Sequence, residues 1–439
     1  MAAAVHPRKF CSSYSGWVSL QLLLLVVLSG LAVSMSTINS LPGFPGSLPF
    51  HLQTGYVGVD ESDDVQLFYY FVKSERNPME DPLVLWLTGG PGCSAFTGLA
   101  FEIGPLNFNI VEYNGSLPTL VLNPYSWTKV SSIIFLDAPV GTGFSYSRSS
   151  QGSKIGDLKS AKHTHNFFRK WLIDHPEFMA TPFYLAGDSY SGISIPLIAQ
   201  EISNGNEARH KPIINFKGYL LGNPLTDSTK RSCKGEYVNV DPSNVHCATD
   251  LQAVSECTGL VNIPHILERK CFLMSPKQNE MEHRRSLEGN SRESLLSQPQ
   301  HPEFGCRTYN YLLANIWAND NSVLKALHIR KGTVMEWQRC NYGLPYVKEV
   351  KSSINYHRSL STKGHRALIY SGDHDMSIPY LGTLAWISSL NFSIVDDWRP
   401  WFIDGQVGGF TTTYSNRMTF ATVKARKYFA RSFSPLTSK

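Results

Sequence analysis

Phe183-Tyr184-Leu185-Ala186-Gly187-Asp188-Ser189-Tyr190-Ser191-Gly192 is the stretch on which the fold turns. Four residues with strand character run into Gly-x-Ser-x-Ser. Ile193, Ile195, Leu197, Ile198 and Ile202 then follow as an apolar helical run that fades at Asn204-Gly205. A serine on a sharp strand-to-helix turn projects its hydroxyl above the sheet, and the turn requires very small neighbours two residues to either side. Gly187 and Ser191 meet that need, although Ser191 stands where a second glycine is usual. An ordinary strand-to-helix turn is the competing reading, and the surrounding chain must decide.

Working outward, Leu83-Val84-Leu85-Trp86-Leu87, Ile133-Ile134-Phe135-Leu136, Gly218-Tyr219-Leu220-Leu221 and Ala367-Leu368-Ile369-Tyr370 are continuous apolar runs. Strands covered on both faces read this way, unlike the alternation of a half-exposed sheet. Asp157 to His175 carries Leu158, Ala161, Phe168, Trp171 and Leu172 at helical spacing. Helix and strand therefore alternate from about residue 80 to 222, the pattern of a doubly wound α/β sheet. The expected organisation is a first core part, 37–225, and a Cys-rich insertion, 226–340. A second core part, 341–424, and a basic tail, 425–439, follow. Within the insertion, Asp250–Glu256 and Ser322–Ile329 are helix candidates, and polar 276–303 reads as a flexible loop with a cleavable Arg284-Arg285.

Two further segments carry chemistry. Leu87-Thr88-Gly89-Gly90-Pro91-Gly92-Cys93 ends a strong strand, and its Gly-Gly pair lets backbone N–H groups approach a ligand closely, as an oxyanion hole requires. Ser371-Gly372-Asp373-His374-Asp375 ends a late strand, where this topology places the acid of a catalytic triad. Alone, each is an ordinary turn; together with Ser189 they read as one site.

The compartment is legible at the start of the chain. Arg8 and Lys9 precede an apolar run from Leu20 to Val33, followed by the small residues Ala32, Ser34 and Ser36. That run is shorter than the roughly 20 residues a membrane span needs, so 1–36 reads as a secretory signal, with an uncleaved anchor as the competing reading. No span is expected after its removal. Seven of the 8 cysteines lie beyond it, none in a metal-binding spacing, which fits three disulfides and one spare thiol in an oxidising compartment. The sequons at Asn114 and Asn391 fit the same route. The net charge of +5 equals the five cations Lys424, Arg426, Lys427, Arg431 and Lys439, so the body is neutral and nucleic acid is not an expected partner.

From Leu41 to about Lys424 the chain resembles the plant serine carboxypeptidase-like proteins. The resemblance rests on WLTGGPGCS (86–94), LDAPVGTGFSYS (136–147), GDSYSGISIP (187–196), LLGNPLTD (220–227), IWANDNSVLKAL (316–327) and YSGDHDMSIP (370–379). It implies an α/β-hydrolase fold with a disulfide-rich lid insertion and a secreted or vacuolar location. By position it makes Ser189 the nucleophile and Asp375 the triad acid, with the Gly90 and Tyr190 amides as the oxyanion hole. It also implies the pairs Cys93–Cys340, Cys233–Cys247 and Cys271–Cys306, leaving Cys257 spare. Processing into two disulfide-linked chains at the 276–303 loop is a further implication. No cofactor or metal is expected.

The chain departs from that pattern in two places. The family's triad histidine lies in a Gly-His segment near the C-terminus, but here Ala425-Arg426-Lys427-Tyr428 follows Lys424 and no histidine comes after Asp375. Asp227 to Cys233 is also shorter than in relatives. A splice variant or an error in the gene structure is the expected origin. Family members divide between exopeptidases and acyltransferases that draw on glucose esters. Peptidases usually carry Asn where this chain has Thr88, and Glu where it has Asp188. These residues, with Gly89 and Glu102, form the implied substrate-binding group. The leading reading is acyl transfer from a small-molecule donor to a small-molecule acceptor. A carboxypeptidase acting on peptides and a catalytically silent isoform are the alternatives.

Overall fold

The computed structural model describes residues 34–228, 243–271 and 302–424. Its strands, in chain order, are β1 (Ser34–Ile38), β2 (Leu52–Gly58), β3 (Val65–Val72), β4 (Leu83–Leu87), β5 (Leu106–Phe108) and β6 (Leu120–Leu122). After these come β7 (Ser132–Leu136), β8 (Tyr146–Ser147), β9 (Ile155–Gly156), β10 (Phe183–Asp188), β11 (Phe216–Gly222) and β12 (Tyr346–Val347). The last four are β13 (Arg366–Gly372), β14 (Ile394–Ile403), β15 (Gln406–Tyr414) and β16 (Met418–Val423). Twelve of them build one sheet in the order β1-β2-β3-β7-β4-β10-β11-β13-β16-β15-β14, with β8 paired to β3. The centre from β7 to β16 is parallel, and both arms are antiparallel.

The continuous apolar runs have a direct cause. Successive side chains of a strand point to opposite faces, and here both faces are covered. Leu83, Leu85 and Leu87 of β4 join one core, while Val84 and Trp86 join the other. The first core lies under the helices Asp157–Asp174 and Ser191–Glu207, which supply Phe168, Trp171, Ile195 and Ile202. The second includes Phe96, Phe135, Trp317 and Trp337.

All five strands expected from the sequence are present, with ends extended by up to two residues. The helix after Ser189 continues past Asn204-Gly205 to Glu207 and contains Pro196 at its sixth position; Gly192 O, which loses that N–H donor, accepts the Ser353 hydroxyl at 2.6 Å. Asp250–Glu256 is the middle of a longer helix, Val245–Thr258. The expected Ser322–Ile329 helix is instead Asn321–Ala326, capped by Asp320 and stopped before His328, whose φ is +55°. The helices Arg307–Ala318 and Asn321–Ala326 bury Leu312, Leu313, Trp317 and Val323 in the second core. This part of the 226–340 insertion is therefore continuous with the body.

Of the expected signal segment, 1–33 lie outside the described residues, and Ser34–Ser36 belong to β1. Most of the 276–303 loop, the 425–439 tail and Cys233 also lie outside them. Cys93–Cys340 and Cys271–Cys306 are bonded, and Cys257 is free and exposed. No described helix is long and apolar enough to cross a membrane.

Candidate active site

Ser189 sits at the end of β10 with φ +53°, the left-handed conformation of a tight elbow. Its backbone is fixed on both sides: Ser189 N–H donates to Gly222 O at 2.9 Å, and Leu225 N–H donates to Ser189 O at 2.8 Å. A Cβ on Gly187 would lie 2.4 Å from Leu87 O and 2.7 Å from Ser191 Cβ, which explains the requirement for glycine there. Ser191 can replace the second glycine because its hydroxyl donates to Leu87 O at 3.0 Å. The substitution thus ties the elbow to β4.

The Gly89-Gly90 pair lies against this elbow. A Cβ on Gly89 would come within 2.6 Å of Ser189 Cβ, and Gly90 holds φ +127°. Gly89 N–H donates to Asp188 Oδ1 at 2.9 Å. Among the described residues, neither the Gly90 nor the Tyr190 amide has an acceptor. Cys93–Cys340 fastens the far end of this loop. Thr88 accepts the Trp86 indole N–H at 3.3 Å.

Asp375 lies on the loop after β13. Its Oδ1 accepts the amides of Ser377 at 2.6 Å and Ile378 at 3.2 Å. Burial raises its pKa, countered in part by those hydrogen bonds and, less, by the charge of Arg307. Asn223 bridges this loop to the elbow side: its Oδ1 accepts Gly372 N–H at 3.0 Å, and its Nδ2 donates to Ile378 O at 3.3 Å.

Thr88, Gly89, Gly90, Glu102, Asp188, Ser189 and Asp375 line one cavity of about 1000 Å³. Tyr190 is buried beside it, its phenol directed away to Asp157. Phe101, Phe108, Tyr311 and Tyr342 give the cavity aromatic walls. Glu102 and Asp188 both line it and act on each other electrostatically. Burial, and then the charge of Asp188, hold the Glu102 carboxyl well above its usual range. Burial pushes Asp188 up to about 6 against the Gly89 bond and the cation of Arg339.

Several of these groups were not foreseen. Arg339 lines the cavity with its guanidinium 4.0 Å from the centre of the Tyr311 ring, and Arg307 pairs with Glu268 at 2.8 Å. Arg339 could have been found from its place beside Cys340, once that cysteine is paired to the glycine loop. No local signal marks Arg307.

The histidines are equally informative. His374 faces Asp373, with Nε2 to Oδ1 at 3.6 Å, and meets the edge of His265 at 5.3 Å between ring centres. His265 lines the cavity, and its two ring nitrogens have no hydrogen-bond partner among the described residues. Among the described residues no histidine hydrogen-bonds Ser189 or Asp375, and the Ser189 hydroxyl has no partner.

A parallel-centred sheet with a serine elbow after one strand and an acid loop after a later one defines the α/β-hydrolase fold. A prohormone-processing carboxypeptidase from Saccharomyces cerevisiae has the same fold, with a TM-score of 0.64 at 21% identity over 90% of this chain and 91% of its own. The chain belongs to the serine carboxypeptidase family, whose model matches residues 42–230 and 226–430. These matches meet at the segment that reads as shortened. Serine carboxypeptidase-like 1 of Arabidopsis thaliana is 50% identical over 94% of this chain and 93% of its own length. Serine carboxypeptidase-like 7 of the same plant is 49% identical over 94% of each.

Proposed function

We propose that this site is built for acyl transfer from a glucose ester through an acyl-Ser189 intermediate. The observation that carries the reading is the Gly89–Asp188 bond. A peptidase site must present groups for the terminal carboxylate of its substrate, but here the Gly89 amide is taken by Asp188. Glu102 remains, its carboxyl held well above the usual range by burial and then by the charge of Asp188. In its acid form such a carboxyl can donate to a sugar or alcohol oxygen.

In this reading the Ser189 oxygen attacks the ester carbonyl. The free amides of Gly90 and Tyr190 receive the negative oxygen, and glucose departs with a proton. An acceptor hydroxyl then attacks the acyl-serine and restores Ser189. The aromatic walls would pack the acyl group. The protein enters through the secretory route, toward a vacuolar or extracellular location.

A second reading has its own observation. The chemistry needs an imidazole between Ser189 and Asp375, and no described histidine occupies that position. The sequence as given would therefore be silent or nearly so, while keeping the binding cavity. Comparing transfer from a glucose ester, hydrolysis of that ester and release of C-terminal residues from peptides tests the readings together. Peptide release as the dominant activity would overturn the transferase assignment, and brisk turnover of any substrate would overturn the silent one.

A further inference from the structure

Asp157 lies away from the cavity lining, yet its side chain accepts three hydrogen bonds. It is the first residue of the Asp157–Asp174 helix and is 1% exposed. Its Oδ1 accepts the phenol of Tyr190 at 2.8 Å and the phenol of Tyr346 at 2.9 Å, while its Oδ2 accepts Val350 N–H at 2.9 Å. Around this point β9 pairs with β12, and Leu158 N–H donates to Glu349 at 3.0 Å. A Cβ on Gly156 would lie 2.6 Å from Glu349 Oε1, so a larger residue there would push the Glu349 carboxyl aside. The chain after the insertion is thus fastened to the helix start, and both are fastened to Tyr190.

Tyr190 is the residue whose backbone nitrogen stands free beside Ser189. Its ring is 6% exposed and packs edge-on against Tyr346 at 6.1 Å. A side chain bonded at its far end cannot rotate or shift without moving its own Cα, and the amide plane moves with it. Donors for a developing oxyanion must be held within tenths of an ångström, because preorganisation is what makes them effective. A buried carboxylate with three donors is a rigid anchor for that purpose.

We infer that Asp157 is a positioning residue for the oxyanion site: by clamping the Tyr190 phenol, together with Tyr346, it sets the direction of the Tyr190 amide. The inference rests on the reading of that amide as an oxyanion donor. It makes the segment after the insertion part of the catalytic support.

The test uses the full chain with Asp157→Ala, Asp157→Asn, Tyr190→Phe and the Asp157→Ala/Tyr190→Phe pair, measured on a p-nitrophenyl ester. Asp157→Ala and Tyr190→Phe should each lower kcat about tenfold with KM unchanged, the mark of an interaction made only in the transition state. The double variant should be no worse than either single one, since both break the same link. Asp157→Asn, which keeps an acceptor oxygen, should recover most of the loss. Intact kcat in Asp157→Ala, with only a lower melting temperature, would overturn the inference, and so would additive losses. If the unmodified chain has no measurable esterase activity, the silent reading of the site stands and kinetics cannot be read. A crystal structure of Asp157→Ala then decides the positioning role: a displaced Tyr190 ring with a changed Ser189–Tyr190 peptide plane supports it, and an unchanged elbow overturns it.

Discussion

The Oδ1 of Asp188 accepts the amide hydrogen of Gly89 at 2.9 Å, so the residue before the elbow serine holds the glycine pair of a different strand. Strand pairing already sets Gly187 opposite Leu87, and this bond extends the alignment beyond the end of both strands. A carboxylate accepting a backbone N–H is among the stronger hydrogen bonds a protein makes, at about 1.5–3 kcal/mol net. Asp188→Ala should release the loop and lower ester turnover by roughly one to two orders of magnitude, by the same arithmetic. Unchanged kcat/KM in that variant would show that the glycine loop is held by its disulfide alone.

The acidity of Asp188 gives a pH prediction with a definite sign. Its folded pKa of about 6 stands above its ordinary value of 3.8, so the folded state binds more protons between those limits. Stability from this group therefore falls as pH rises from about 4 to 6. Asp137, buried and raised to about 6, acts in the same direction. His163 and His165, lowered by burial from 6.5 to about 4, act oppositely. The whole-protein profile mixes these signs, but a difference isolates the contribution of Asp188 together with its neighbour Glu102. Asp188→Asn should match the unmodified chain near pH 4, become relatively more stable toward pH 6 and hold that gain above it, by at most about 3 kcal/mol. A melting-temperature difference that does not change with pH would refute the assignment.

Gly89 offers a steric check. A methyl group there would meet Ser189 Cβ at 2.6 Å and the Tyr190 amide nitrogen at 3.0 Å. Gly89→Ala should leave the fold standing, because the surrounding strands are untouched, yet displace the elbow or the loop. The expected result is a cooperative melt within a few degrees of the original and ester turnover reduced at least tenfold, as for a misplaced catalytic group. Normal turnover would mean that the loop moves away at little cost.

What the sequence disclosed follows from the physics of each element. Leu83–Leu87 and Phe183–Ala186 were readable because a strand buried on two faces has no polar alternation to confuse it. The antiparallel arms were not. In β14, Ile394, Val395 and Phe402 are exposed, Pro400 has no N–H to donate and the register shifts three times, so neither period appears. The elbow was legible because its turn restricts residue size locally. Asp157, Arg307 and Arg339 were not, because each acts through partners far along the chain; Tyr346 lies 189 residues from Asp157. Helix boundaries were missed by a few residues where caps such as Asp320 intervened.

The elbow assignment is itself open to a direct chemical check. A fluorophosphonate forms a stable bond to an activated serine, and in this chain the bond should form at Ser189, slowly. Peptide mapping should place the adduct there, and Ser189→Ala should remove it. An adduct that persists in Ser189→Ala would move the nucleophile elsewhere.

The last prediction concerns the imidazole. Asp375 is set by the Ser377 and Ile378 amides on the loop after β13, and β16 runs parallel beside that strand, with Gly372 opposite Val423. Val423, the last residue of β16, thus lies beside the end of the strand that leads into the acid loop, and the resemblance puts its histidine soon after that point in the sequence. In the sequence as given, that stretch holds Lys424-Ala425-Arg426-Lys427. Without a base, Ser189 attacks as a neutral alcohol and nothing returns a proton to the leaving group. What remains is the acceleration from the oxyanion site and binding, on the order of 10³–10⁴ over water. Replacing the residues after Lys424 with a relative's Gly-His-containing end should raise kcat by roughly 10⁴-fold, with a smaller change in KM. The cavity wall that binds substrate is already in place, so the gain should fall on the chemical step. Equal turnover by the two chains would mean that another group, with His265 in the cavity wall the first to examine, takes the serine proton.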